Sequence, residues 1–354
     1  MEMRPLGTTG IHVSRFGLGA MVLGDWGNTD LDACYRIINR ALDAGINLVD
    51  TADMYADGQN EEIVGRAIAG RRDDVVLCTK FHHPVGRHDD PNRRGNSRRW
   101  IMQAIDDSLR RLGVDHIDVY QAHRPDPTVA SAETVAALDD LVTAGKIRAW
   151  GTSTFPAEEL VAMHWAAERL DRIGPRTEQP PYSIFCRGIE RDVLPVVREH
   201  GMGAMCWSPL SGGWLTGKYR RDDPAPAGSR GDTNPDHFDV ANDDKLAATE
   251  ALSAVAAQAG WSLTHLALAW ATEHPAITCA LIGPRTEAQL DDLLGAADVR
   301  LDTDTLDAVD MVVPPGTDLN PADRGWTPPG LTPAQRRRPS QVVPGTTRDG
   351  EGES

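Results

Sequence analysis

The chain has 354 residues, 40% of them hydrophobic and 25% charged, which fits one large α/β barrel or two average globular domains and excludes a disordered or fibrous class. Its formal net charge of −16 excludes a general nucleic-acid or anionic-membrane binder, which needs a positive face, although a few local basic residues could still hold an anionic ligand. The five cysteines (Cys34, Cys78, Cys186, Cys206, Cys279) are scattered without a C-x-x-C pair, so they read as buried free thiols in a reducing compartment. With no apolar N-terminal segment and no run long enough to span a bilayer, the expectation is a soluble, cytoplasmic protein.

In chain order, MRPLG and IHVS flank the turn GTTG and predict a small β-hairpin able to plug a barrel floor. From Phe16 to about Ala297, apolar runs then alternate with helical patterns. The runs are FGLGAM, INLVD, DVVLCTK, IDVYQAH, IRAWGTS, RTEQ, GAMCWS and AITCALIG, eight in all. Most alternate too weakly for a sheet with one wet face and read as parallel strands covered on both sides. Between them, the segment from Ser97 puts Ile101, Ile105, Leu109 and Leu112 on one stripe, with Ser97 as its cap and Gly113 as its stop. Asn60–Ala69 and Ser131–Ala144 show similar stripes. The pattern predicts a (β/α)8 TIM barrel over residues 1–313, with a last helix at Asp302–Val313. A doubly wound sheet would carry a Gly-rich turn after its first strand, and Gly17, Gly19 and Gly24 are too sparse to form one. Residues 314–354, rich in Pro, Gly and Arg, read as a mobile tail. Two long loops, Phe81–Asn96 and Tyr219–Asp243, follow strand ends and would overhang the active mouth.

Three strand candidates end in groups that handle protons. INLVD ends at Asp50, with Tyr55 five residues on; DVVLCTK ends at Lys80; IDVYQAH ends at His123. Tyrosine titrates near pH 10 and needs a neighbouring cation to stabilise its phenolate. Lys80 supplies that cation, Asp50 keeps the lysine charged, and His123 can orient a carbonyl oxygen. None of the four is a hydride source, so the set implies a cofactor that carries reducing power. Taken singly, each residue has an ordinary structural explanation; their order and their position at successive strand ends favour a site. His82, His83 and His88 read as a solvated loop, and no metal site is expected. Trp26 and Trp214 are candidates for the substrate pocket.

The segments DTADMY, CTK and YQAHRPD resemble the aldo-keto reductases, in the branch similar to potassium-channel β-subunits and bacterial enzymes. GTSTF, EQPPYS, MCWSPLSGGWLTGKY and LIGPRTEAQLDDLLGA extend the resemblance in order over about residues 3–300. The resemblance implies that Tyr55 is the general acid in carbonyl reduction, tuned by Lys80 and Asp50, with His123 orienting the substrate. It implies that Ser153, Thr154 and Gln179 hold a nicotinamide carboxamide and that Trp207 stacks on the ring. Ser208, Leu210, Gly213 and Lys218 would line the pyrophosphate, and Gly283, Arg285, Thr286 and Gln289 the adenosine end. Arg285 suits a 2′-phosphate, which favours NADP. The chain departs from the family where Thr154 replaces a common Asn and Leu293 stands at a frequent adenine-binding Asn; Leu293 sits at helical spacing with Leu290 and Leu294 and can simply pack. The expected partner is a small aldehyde or ketone, not a nucleic acid or membrane; the oligomeric state stays open. The alternatives are a nicotinamide-nucleotide-binding regulatory subunit with little turnover and an aldolase using Lys80 as a Schiff-base nucleophile.

Overall fold

The computed structural model describes residues 1–86, 89–221, 223–235 and 238–332. A hairpin of β1 (Met3–Pro5) and β2 (His12–Ser14) precedes eight parallel strands. These are β3 (Phe16–Gly19), β4 (Leu48–Asp50), β5 (Val76–Phe81), β6 (Ile117–Ala122), β7 (Ile147–Ser153), β8 (Thr177–Gln179), β9 (Gly203–Cys206) and β10 (Cys279–Ile282). They pair in sequence order, and the pairing of β10 with β3 closes the barrel. The predicted (β/α)8 architecture is therefore the observed one.

Some strands are shorter than the apolar runs that predicted them: GAMCWS keeps only Gly203–Cys206 and AITCALIG only Cys279–Ile282, whereas IRAWGTS is strand throughout. Asp50, Lys80 and Ser153 stay in the ladder, and His123 lies just beyond the end of β6.

Inside the barrel, Leu48, Cys78, Val119, Met205, Cys279 and Leu281 form a compact cluster. Leu6 and Val13 of the hairpin region pack against it and are fully buried, so the hairpin does plug the floor. A second, larger core lies between the strands and the surrounding helices. The helices are α1 (Leu31–Asp43), α2 (Gln59–Ile68), α3 (Arg98–Leu112), α4 (Ser131–Thr143), α5 (Ala157–Leu170) and α6 (Val193–Glu199). They continue with the single turn α7 (Arg230–Thr233), then α8 (Asp243–Gln258), α9 (Leu263–Glu273), α10 (Glu287–Leu294) and α11 (Thr303–Val312). The helix α3 obeys its sequence signals at both ends: Ser97 accepts from the Trp100 amide, and Gly113 leaves the helix at φ 66°. Leu290 and Leu293 are both buried, so Leu293 packs as its helical spacing suggested.

The segment expected to be tail from residue 314 begins as packed structure. The Leu319 amide donates to the Phe185 carbonyl (3.0 Å), and the Gly188 amide donates to Asp318 (2.6 Å). Asp323 pairs with the buried Lys245 at 2.7 Å. The reason is local: Asp318 and Asp323 find partners on the barrel, which the Pro/Gly composition did not advertise. Residues 333–354 and His88 lie outside the described residues.

All five cysteines are free and buried. No described helix is long and apolar enough to cross a membrane.

The contact of α2 with α3 depends on Gly65. A Cβ there would stand 2.1 Å from the Leu112 carbonyl oxygen, whereas one on Gly70 would meet nothing within 4 Å. Gly65→Ala should therefore cost about 1–3 kcal/mol through overpacking, and Gly70→Ala less than about 0.5 kcal/mol. Thermal unfolding of the two variants side by side checks this; equal melting temperatures would refute it.

Candidate active site

Three strands deliver the central residues. Asp50 is the last residue of β4, Lys80 lies one residue from the end of β5, and His123 follows the last residue of β6. Tyr55 begins a tight turn, Tyr55–Gly58, in which Ala56 (φ 48°), Asp57 (φ 53°) and Gly58 (φ 96°) are all left-handed. Two of those three are not glycine, so the turn is strained and must be held by its surroundings.

The lysine is the hub. Its Nζ donates to both oxygens of Asp50 (2.9 and 2.7 Å) and to the Thr51 carbonyl (2.7 Å), and stands 3.5 Å from the Tyr55 hydroxyl. Lys80 is fully buried and Asp50 is 3% exposed. Burial opposes the lysine's charge, but Asp50 and the Tyr55 oxygen outweigh it and hold Lys80 above its ordinary value. Burial also raises Tyr55, and the opposing pull of Lys80 does not cancel it. The expected lowering of the phenol therefore gives way to a tyrosine that keeps its proton through neutral pH.

His123 is 6% exposed, and its Nδ1 has no partner. Burial first, then the charges of Lys80 and Arg124, push it well below the ordinary value, so the ring is neutral. It meets Tyr55 edge-on at 5.8 Å and His83 at 5.2 Å between ring centroids. Trp26, half exposed, lies 5.8 Å from the Tyr55 ring. Trp214 does not line the mouth: it is 1% exposed and packs with Tyr219 and Phe238 beneath Lys245. Its apolar bulk is used to fold the loop after β9 rather than to face substrate.

The next strands add polar groups beside the tetrad. Gln179 donates its amide to Asp50 (2.8 Å) and to Gln121 (3.0 Å), and Ser153 donates to the Gln179 carbonyl (2.9 Å). Thr154, at φ 63°, accepts at 3.3 Å from the Trp207 indole and at 3.2 Å from Arg124. Gly325, in the C-terminal segment, sits against the Trp207 ring so closely that a Cβ would come within 2.8 Å of it. In the turn after Trp207, Ser208 (φ 58°), Ser211 (φ 48°), Gly212 (φ 67°) and Gly213 (φ 101°) are left-handed. Leu210 packs half-buried on the main core, and Lys218 leans over Gly213. At the last strand, Gly283 follows β10, Thr286 caps α10, and Gln289 accepts from the Arg285 amide at 2.8 Å.

Sequence reasoning missed two kinds of residue. One is support: Gln121 bridges to Gln179, and Asp53, almost fully buried with both oxygens unpartnered, is pushed well above the carboxylate range by burial and by Glu61. The other is Arg230 at the start of α7. Burial, then the charges of Arg285 and Arg230, lower Lys218, and burial, then the charge of Arg285, lowers Arg230. None has a carboxylate within ion-pair distance among the described residues. The signal was present in the basic residue inside the long Tyr219–Asp243 loop, but its approach to Arg285 depends on the fold. Among the described residues no cluster of His, Cys, Asp or Glu could hold a metal.

Residues 15–314 match the aldo/keto reductase family. The chain belongs to the aldo/keto reductase family. It is 36% identical over 324 residues to a probable voltage-gated potassium channel subunit beta of Oryza sativa, covering 88% of this chain and 97% of that protein. It is 36% identical over 335 residues to an uncharacterized oxidoreductase, YrpG, of Bacillus subtilis, covering 92% and 100%. The aldo-keto reductase YhdN of the same bacterium is 37% identical over 303 residues, covering 83% and 88%. The barrel, its order of strand ends and the family membership agree: this is an oxidoreductase scaffold of the aldo/keto reductase type.

Removing the lysine alone would leave Asp50 charged and buried. Lys80→Met should therefore destabilise the fold by about 3–5 kcal/mol, and Asp50→Asn added to it should recover part of that loss. Urea unfolding of the single and double variants tests the pairing; a double variant no better than the single would contradict it.

Proposed function

We propose that the protein is an NADPH-dependent reductase of a small aldehyde or ketone, with Tyr55 as the proton donor. The observation that carries this reading is Lys80 Nζ held between Asp50 and the Tyr55 hydroxyl at a barrel mouth. A bound nicotinamide dinucleotide supplies the hydride. Tyr55, protonated through neutral pH, hydrogen-bonds the carbonyl oxygen and gives it a proton as the carbonyl carbon is reduced. The charged Lys80 stabilises the phenolate left behind, which regains its proton from solvent. His123, neutral, offers one N–H or one lone pair and orients the same oxygen. A charged lysine with its donors engaged is a poor Schiff-base nucleophile, which speaks against the aldolase alternative.

Lys218, Arg230 and Arg285 fit a phosphorylated dinucleotide: the charge of Arg285 opposes protonation of both Lys218 and Arg230, and a dianion beside them relieves that repulsion. The left-handed turn from Ser208 to Gly213 suits backbone amides converging on phosphate. Thr154, Ser153, Gln179 and Trp207 are assigned to the nicotinamide end on this reading. A regulatory role is the second reading, favoured by the named channel subunits among the relatives; the intact tetrad favours turnover. Buried free thiols are consistent with a cytoplasmic, reducing location, and the charge of −16 with a small-molecule partner rather than nucleic acid.

Tyr55→Phe should lower carbonyl-dependent NADPH oxidation by about 10²–10⁴. In the wild type, reduction should hold steady through neutral pH. Tyr55 loses its proton only above its ordinary value of about 10, and His123 gains one only well below about 6.5. Unchanged activity in the phenylalanine variant would sink the assignment. Calorimetry of NADPH and NADH should give tighter NADPH binding, with Arg285→Ala narrowing the gap by about tenfold to a hundredfold. Equal wild-type affinities would refute the NADP preference.

A further inference from the structure

Arg124 follows His123 and shares its mouth. One of its terminal nitrogens donates to the His123 carbonyl (2.6 Å) and to Thr154 Oγ1 (3.2 Å). A guanidinium has five donors. The remaining donors of Arg124 are neither bonded within the described protein nor sealed from solvent. The residue is half-buried, which lowers its affinity for a proton, yet a guanidinium stays charged at any working pH.

No carboxylate lies within ion-pair distance of Arg124 among the described residues. Glu178 is the acidic group that Arg124 feels, but its oxygens accept from Thr152 and from the Phe155 amide, and burial pushes it up to about 7. Nearby, Arg94 adds a positive charge beside His82 and His83, and Asp126 a negative one beside His82 whose oxygens accept from the Asn96 amide and from Thr128. Lys80 is paired with Asp50. Burial lowers His82 and His123, and brings His83 down to about 4, so all three imidazoles are neutral at pH 7. A half-buried cation near three neutral imidazoles, with open donors, is costly unless an anion completes it.

We propose that Arg124 is a specificity residue that receives the carboxylate of an acidic aldehyde or ketone while the carbonyl oxygen meets Tyr55 and His123. This deepens the reductase reading and rests on it for the position of the carbonyl. A planar carboxylate matches the open fork of the guanidinium. The substrate class is therefore a compact carbonyl compound bearing an acid group, and the closely similar neutral compound is disfavoured.

The test uses a matched pair of ligands with the full-length protein at pH 7.5. For binding, 4-(hydroxymethyl)benzoate and 4-(hydroxymethyl)benzamide are titrated by calorimetry, with and without NADP⁺. For turnover, 4-carboxybenzaldehyde and 4-formylbenzamide are compared by loss of NADPH absorbance. The carboxylate should bind and turn over better than the amide by about tenfold to a hundredfold. Arg124→Gln should bring that ratio towards one, and Arg124→Lys should keep part of it. A wild-type ratio near one overturns the proposal. So does an Arg124→Gln variant that weakens both ligands equally, because then the arginine only holds the His123 carbonyl and Thr154 in place. So does a variant whose defect is confined to NADP⁺ affinity. If neither aldehyde is reduced but the benzoate still binds selectively through Arg124, the reductase reading fails and the anion site stands.

Discussion

A lysine ammonium inside a barrel is tolerated only when its charge is answered on the spot. Here Asp50 answers it with both oxygens, and the Thr51 carbonyl accepts a third hydrogen bond from the ammonium. Everything around the mouth is arranged about that pair. Gln179 ties Asp50 to Gln121 and so couples β4 to β6 and β8 across the barrel. The phenol of Tyr55 sits at the one side of the ammonium not filled by oxygen acceptors of the scaffold. The strained turn that carries Tyr55 brings its hydroxyl to 3.5 Å from the ammonium of that pair.

The electrostatic design of the mouth follows from burial more than from charge. Three imidazoles, a phenol and the carboxyl of Asp53 are all driven to their neutral forms. This leaves few ionised groups, and each stands out against a quiet background. The cations Lys218, Arg230 and Arg285 gather on the β9–β10 side, well apart in sequence from the tetrad on β4–β6. The barrel thus places this group of cations and the Asp50–Lys80 pair on different arcs of its rim.

Most of this could be read in the sequence, for identifiable reasons. Parallel strands buried on both faces leave continuous apolar runs, and a residue that handles protons at the end of such a run is out of place unless it works. Asp50, Lys80 and His123 were visible on that ground. Trp214 was misread because a large aromatic in a mouth loop packs inward or outward with the same sequence signature. Arg230 feels the charge of Arg285 only in the folded chain, which no local pattern encodes. The ordered start of the C-terminal segment was hidden by composition: Asp318 and Asp323 look like solvated loop residues until Gly188 and Lys245 are seen beside them.

The closing pair of the barrel joins the first of its strands to the last, Phe16 to Ala280. The floor plug is likewise split, since Leu6 and Val13 rest against Met205 and Cys279. During synthesis the residues of the tetrad leave the ribosome early, on strands that cannot yet form a ring. Their apolar inner faces stay uncovered until the segment around residue 280 arrives, so this fold has a high contact order and depends on its own final third. A chain interrupted before Cys279 carries all four residues of the mouth and has no mouth to put them in.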